Sequence, residues 1–164
     1  MLIGVISDSH DNLPMLERGL AELDDRGVEM ILHAGDLVAP FALKVILRTG
    51  LPLTAVLGNN DGERAGLSRM HEDIHEGPHR FKVADRTVLM AHQREVVQEA
   101  RVGGEDLLIY GHDHSPDIVA GSPMIVNPGE MGGWLNGRCT GAIVDLSKMT
   151  GELLEFGRQE TPLT

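Results

Sequence analysis

Five short stretches of the 164-residue chain gather side chains able to hold a metal ion: Asp8-Ser9-His10, Gly35-Asp36, Gly58-Asn59, Ala91-His92 and Gly111-His112-Asp113-His114. Their strongest donors are the carboxylates of Asp8 and Asp36, the amide of Asn59 and the imidazoles of His10, His92, His112 and His114. All are oxygen or nitrogen donors, a mixture that suits Mn²⁺, Fe, Zn²⁺ or Ni²⁺ better than Ca²⁺. Taken singly, Asp or Asn in such a place serves as a turn former or helix cap. Taken with the histidines, the set reads as a metal centre. The glycines before Asp36, Asn59 and His112 let the backbone turn sharply and come close to an ion.

Each stretch closes an apolar run: Leu2–Ile6, Met30–Leu32, Leu53–Leu57, Thr87–Ala91 and Leu107–Tyr110. Runs of this length bounded by polar residues read as buried strands. Neighbouring strands lie about 5 Å apart, so groups beyond their carboxyl ends converge on one centre. Between the first two strands, Asn12 caps a helix with Pro14 in its first turn, an apolar stripe of Leu16, Leu20 and Leu23, and a stop at Gly27. A second helix follows Pro40 with Leu43, Val45, Ile46 and Leu47. The order β-α-β-α-β predicts a parallel sheet in the first half. In the second half, Arg80–Val83 and Thr87–Ala91 flank a turn, as do Ile118–Ala120 and Met124–Val126, and Ala142–Leu146 and Glu152–Phe156. With a short helix over Val96–Arg101, that half is expected to be largely antiparallel. The fold class is therefore α/β (α+β), in a single domain over residues 1–164.

Composition narrows the partners. Aromatics are only 3% of the chain and the net charge is −11. There is little material for base-stacking platforms, and such a surface repels nucleic-acid backbones. Cys139 is the only cysteine, which excludes an internal disulfide and a cysteine zinc cage. Asp8 comes too early for a signal peptide, and no apolar run is long enough to cross a bilayer, so a cytoplasmic protein is expected. Homo-oligomerisation is left open.

In order along the chain, the stretches read D-x-H, G-D, G-N-x-D (Gly58-Asn59-Asn60-Asp61), a single His (His92) and G-H-x-H. This series resembles the calcineurin-like metallophosphoesterase superfamily. Asp8 to Asn12, Gly58 to Arg64 and Asn127-Pro128-Gly129-Glu130 place the likeness in its small single-domain bacterial and archaeal phosphodiesterase group, which also includes the Vps29 scaffold. The resemblance implies two packed mixed β-sheets flanked by helices, a four-layer αββα sandwich. It also implies two divalent ions, Mn²⁺ first among them, with Asp8, His10 and His114 holding one, and Asn59, His92 and His112 the other. Asp36 would bridge both and position the attacking water, with the ions about 3.5–4 Å apart. The implied function is hydrolysis of a phosphate ester, most simply a diester. The alternative is a non-enzymatic scaffold of the Vps29 kind, for which eroded ligands are expected.

Two departures from the family pattern bear on chemistry. Many relatives carry His after the Asn of G-N-x-D, placed to protonate the leaving oxygen, whereas this chain has Asn60, an amide that is no acid. The usual His-Gly of the fourth stretch is here His92-Gln93. Asn60 and Arg64 are candidate substrate contacts. His33 stands either behind the site or in plain packing, and Asp61 and Asp113 either orient ligands or shape turns. His71, His75 and His79 lie in a polar stretch and read as solvated surface. Met70, Met90, Met124 and Met131 read as core filler.

Overall fold

The computed structural model describes residues 1–159, so residues 160–164 of the expected domain lie outside the described residues. Eleven strands and four helices follow in the order β1 (Leu2–Ile6), α1 (Leu13–Asp25), β2 (Met30–His33), α2 (Pro40–Leu47), β3 (Leu53–Val56), α3 (Arg64–Met70), β4 (Ile74–His75), β5 (His79–Val83), β6 (Arg86–Met90), α4 (Arg94–Ala100), β7 (Leu107–Ile109), β8 (Asp117–Val119), β9 (Met124–Asn127), β10 (Arg138–Asp145) and β11 (Thr150–Arg158). They form two mixed sheets, ordered β11-β10-β1-β2-β3-β4 and β5-β6-β7-β9-β8.

Period-two alternation along the strands builds the layers. In β6, Val88 and Met90 enter one buried cluster, together with Leu107 and Ile109 of β7 and Ile3 and Val5 of β1. Leu89 and Leu108, one residue out of phase, point the other way, onto Val97 of α4. On the opposite side, Ile31 of β2 packs with Leu16, Leu20 and Leu23 of α1 and Leu43 and Ile46 of α2. Because successive side chains point to opposite faces, each central strand feeds two cores at once. The outcome is helix, sheet, sheet, helix, as expected. Met90, Met124 and Met131 are buried in these cores. Asn12 caps α1, its Oδ1 accepting from Met15 N–H at 3.4 Å.

The first half is parallel as read: β1, β2, β3 and β4 pair in parallel. The second half is largely antiparallel as read: β5–β6, β8–β9 and β10–β11 form the three expected hairpins, and β10 pairs antiparallel with β1. The exceptions are β6–β7 and β7–β9, which pair in parallel. The reason is topological: α4 serves as a crossover between β6 and β7, and β8 is set at the edge so that β9 lies beside β7. The sequence reading also lacked α3 and β4, which lie in a polar segment with little periodicity. Among the described residues, no helix is long and apolar enough to cross a membrane.

Candidate metal centre

Six loops meet at one place, and each follows the carboxyl end of a strand: Asp8 after β1, Asp36 after β2, Asn59 after β3, His92 after β6, His112 and His114 after β7, and Glu130 after β9. Asp8, His10 and His114 bring ligand atoms within 4.8 Å of one another, and so do Asp8, Asp36 and His92. Asp8 thus belongs to both groups. From its Oδ1, His114 Nε2 lies at 3.1 Å, His10 Nε2 at 3.6 Å and His92 Nε2 at 4.0 Å. Asp36 Oδ2 lies 3.3 Å from His92 Nε2 and 3.7 Å from His10 Nε2. His112 Nδ1 lies 3.3 Å from His92 Nε2. Asn59 is exposed on the wall of the cleft, with Asn60 beside it.

These residues fit a metal. Asp8 Oδ1 is buried yet accepts no hydrogen bond, although imidazole nitrogens ring it. Donors around one tetrahedral ion with bonds near 2.1 Å stand about 3.4 Å apart, which is the spacing found here. His92 is held in the required tautomer: its Nδ1–H donates to Ala34 O at 2.8 Å, so Nε2 faces the carboxylates.

The local backbone is bent to present these groups. Asp8, His10, Asp36, His112 and His114 all adopt left-handed φ, between 43° and 72°. Asp and His tolerate this region better than most residues, but Val38 at φ 75° does not. The buried Asp61 holds that turn: Val38 N–H donates to its Oδ1 at 2.6 Å, and Asp36 N–H and Gly58 N–H donate to its Oδ2 at 3.1 and 2.6 Å. Close packing demands glycine at two of the strand tips. A Cβ on Gly58 would lie 2.2 Å from Asp36 Oδ1, and one on Gly111 2.0 Å from Ser7 Oγ.

Electrostatically the centre is a well for cations. Burial alone would raise the Asp8 carboxyl, but His10, His114 and the charge of His92 outweigh it and hold it far below the usual carboxylate range. Asp36 is likewise lowered, burial being outweighed by His92 and by Asn60. The same attraction raises His92 and His114 against their burial. A cation among these donors would take the place of those protons.

The supporting residues are mixed in their legibility. His33 is fully buried behind the centre, with Gly35 N–H donating to its Nδ1 at 3.2 Å and its Nε2 facing Ser9 Oγ at 3.2 Å. Asp113 shapes its own turn, accepting from Ser115 N–H and from Asn127 Nδ2. Arg64 is tied to Asp61 O, Gly58 O and Glu76, beside the adjacent cavity that Asn59 and His92 also line. Glu130 is the residue the sequence reading left without a role. It is buried, lies 3.3 Å from His114 Nδ1 and accepts from the N–H groups of Trp134, Leu135 and Asn136. Its only sequence signal is its place in Asn127-Pro128-Gly129-Glu130, a loop after a strand like the other five. His71, His75 and His79, read as solvated surface, are half-buried and hydrogen-bonded or stacked, because α3 and β4 fold that segment against the sheet edge.

The cleft over the centre has a volume of about 590 Å³ and is walled on one side by Trp134 and Leu135. Trp134 Nε1–H donates to His10 O at 3.2 Å, which fixes the indole beside the centre.

Residues 1–149 match the calcineurin-like phosphoesterase superfamily domain. The chain is 33% identical over 161 residues to the phosphodiesterase MJ0936 of Methanocaldococcus jannaschii, covering 90% of this chain and 95% of that protein. It is 39% identical over 139 residues to a probable metallophosphoesterase of Methanothermobacter thermautotrophicus, covering 79% and 76%. Among solved structures, an archaeal phosphodiesterase superposes with a TM-score of 0.85 at 31% identity, covering 94% of this chain and 99% of that one. A Vps29 of Entamoeba histolytica complexed with Zn²⁺ shares the fold, with a TM-score of 0.69 at 20% identity, covering 96% of this chain and all of that one.

Proposed function

The chain belongs to the calcineurin-like phosphoesterase superfamily, and we propose that it is a two-metal phosphodiesterase acting on a small phosphate ester. The observation that carries this reading is the place of Asp36 Oδ2, 3.7 Å from His10 Nε2 of one ligand group and 3.3 Å from His92 Nε2 of the other, beside the buried Asp8 Oδ1 that accepts no hydrogen bond. Asp8, His10 and His114 would hold one ion, Asn59, His92 and His112 the other, with Asp36 common to both. When bound, two divalent ions lower the pKa of water and neutralise the charge of the phosphate. Mn²⁺ is the first choice, with Ni²⁺, Fe or Zn²⁺ matching the same donors.

The chain's own residues then do the rest. Asp36 is kept ionised by its neighbours and so offers two oxygens to the ions. Asn60 donates through its backbone N–H to Asp36 Oδ1 at 2.8 Å and through Nδ2 to Oδ2 at 2.7 Å, which fixes the carboxylate's plane. Trp134 and Leu135 give the cleft an apolar wall for the alcohol part of the ester. All seven proposed donors are present in the chain, which supports an enzyme; because a Vps29 also takes Zn²⁺, turnover rather than metal binding separates the two readings.

Asn60 sets the expected substrate preference. An amide gives no proton to a departing alkoxide, and general acid catalysis contributes about 10²–10⁴-fold where it operates. Hydrolysis of a series of substituted phenyl phosphodiesters with Mn²⁺ should therefore slow steeply as the leaving-group pKa rises, and should stop on chelation. Asn60→His should flatten the slope. Full activity in chelator would overturn the two-metal reading, and a shallow slope unchanged in the variant would remove Asn60 from it.

A further inference from the structure

Outside the cleft, Asp73, His75 and His79 bring one carboxylate oxygen and two imidazole nitrogens within 4.8 Å of one another. They stand where the two sheets are joined. Asp73 and His75 lie at β4, the outer strand of the first sheet, and His79 opens β5, the outer strand of the second. Ladders fix their backbones: Ala55 N–H donates to Asp73 O at 3.0 Å, Leu57 N–H to His75 O at 2.8 Å, and His79 pairs with Met90. Thr54 Oγ1 donates to Asp73 Oδ2 at 2.5 Å, which leaves Oδ1 to meet His75 Nε2 at 2.7 Å. The His75 and His79 rings stack at 3.5 Å with 11° between their planes, and Phe81 lies behind His79 at 4.9 Å. Two rings so close repel if both are charged. Burial and the neighbouring His75 lower the His79 pKa.

We propose that Asp73, His75 and His79 form a third metal site, for Zn²⁺ or an ion of similar chemistry, which ties the outer strands of the two sheets together. Two imidazoles and a carboxylate are a borderline donor set that suits such ions in tetrahedral geometry, with water in the fourth position. Water has access, because the side chains of His75 and Asp73 are 33% and 44% exposed. Glu72 and Glu76 flank the cluster in a chain of net charge −11, and that field draws cations. The proton between His75 Nε2 and Asp73 Oδ1 stands between two of the three donors and is displaced when an ion binds. Sharing one ion requires the stacked rings to hinge apart, and the χ2 torsion of histidine is soft enough to allow it. Glu76 and Gly77, in the loop the ion would close, line the cavity beside Asn59 and His92. An ion here would therefore stiffen one wall of the neighbouring cleft.

The test counts Zn²⁺ by equilibrium dialysis on the full chain and on the His75→Gln/His79→Gln double variant, and follows Tm with added Zn²⁺. Wild type should hold one more ion per chain than the variant and show the larger Zn²⁺-dependent rise in Tm, while hydrolysis supported by Mn²⁺ stays the same in both. Equal ion counts and equal shifts would overturn the site. The readout is a difference between two proteins, so it stands whether the cleft takes two ions, one or none. Asp73→Asn is the companion variant should the double variant misfold. It should weaken the additional ion by more than about tenfold, and unchanged affinity would equally overturn the proposal.

Discussion

Asp8 and Asp36 reach the metal centre from the first sheet, while His92, His112 and His114 reach it from the second, and the two sets are held differently. The carboxylates are gripped by backbone N–H groups: His112 N–H donates to Asp8 Oδ2 at 3.1 Å and Asn60 N–H to Asp36 Oδ1 at 2.8 Å. The imidazoles are oriented through their far nitrogens, His92 against Ala34 O and His114 against Glu130. The grips cross between sheets, since His112 belongs to the second sheet and Ala34 to the first. The centre therefore forms only where the sheets dock, above the core of Ile3, Val5, Val88 and Ile109. The groups behind each set differ in charge. A neutral imidazole, His33, stands behind the carboxylates, and a carboxylate, Glu130, stands behind an imidazole. A third anion beside Asp8 and Asp36 would add repulsion, whereas one behind His114 makes that ring a better donor.

The largest effect should come from the carboxylate side. On the two-metal reading proposed above, Asp36→Asn would remove charge next to both ions, while His92→Asn would remove one neutral donor. Hydrolysis should fall by roughly 10²-fold for His92→Asn and by at least a further tenfold for Asp36→Asn. Mn²⁺-dependent kcat/KM for both variants on one aryl diester checks this. Equal losses would break the division into a charged side and a neutral side.

Next in size is a pH effect on stability at His33. Burial outweighs the pull of Asp8 and Asp36 and lowers its pKa from 6.5 to about 4. Between those values the unfolded chain binds a proton that the native ring refuses, so stability rises with pH. The contribution is fully present above pH 6.5 and is lost as pH falls to about 4. At about 1.4 kcal/mol per pKa unit it amounts to roughly 3 kcal/mol. His92 and His114 have raised pKa values, so their contribution has the opposite sign and begins only near pH 6.5, where the unfolded imidazoles lose their protons; it is common to wild type and variant and cancels in the comparison. Urea midpoints from pH 4 to 7 should shift less for His33→Gln, which keeps a donor for Ser9 and an acceptor for Gly35. Parallel profiles would show that His33 does not set the acid limit.

Much of the carboxylate side was legible in the sequence. Leu2–Ile6, Met30–Leu32 and Leu53–Leu57 are apolar runs that break sharply at Asp8, at Asp36 after His33-Ala34-Gly35, and at Asn59, and strand tips are set by local pattern. The second sheet was less legible. The runs of β6, β7 and β9 look the same whether paired in parallel or antiparallel, because pairing direction depends on where α4 and β8 run. Glu130 was invisible as a partner of His114 because fifteen intervening residues, including β8 and β9, must fold before the two meet. The segment of α3 and β4 was missed for another reason. It has two strand residues and a single buried helix residue, Leu67, so its order comes from the sheet edge it joins.

The smallest effect should lie at Glu130, on the imidazole side. Burial would raise its carboxyl, but His114 and the N–H groups of Leu135 and Trp134 outweigh that and keep it ionised. Glu130→Gln retains an oxygen for those N–H groups, so the Trp134–Leu135 wall should stay in place. What it removes is the negative charge 3.3 Å from His114 Nδ1, and with it the field that makes Nε2 a more basic ligand. Losses of roughly 10–100-fold in metal affinity follow from removing such an outer partner. Titration of Mn²⁺ against activity should therefore show a weaker midpoint for Glu130→Gln, with kcat at saturating Mn²⁺ nearly restored. That pattern separates orientation of a ligand from damage to the cleft. A fall in kcat that excess Mn²⁺ does not repair would place Glu130's role in the wall it organises, through Trp134 and Leu135, and not in His114.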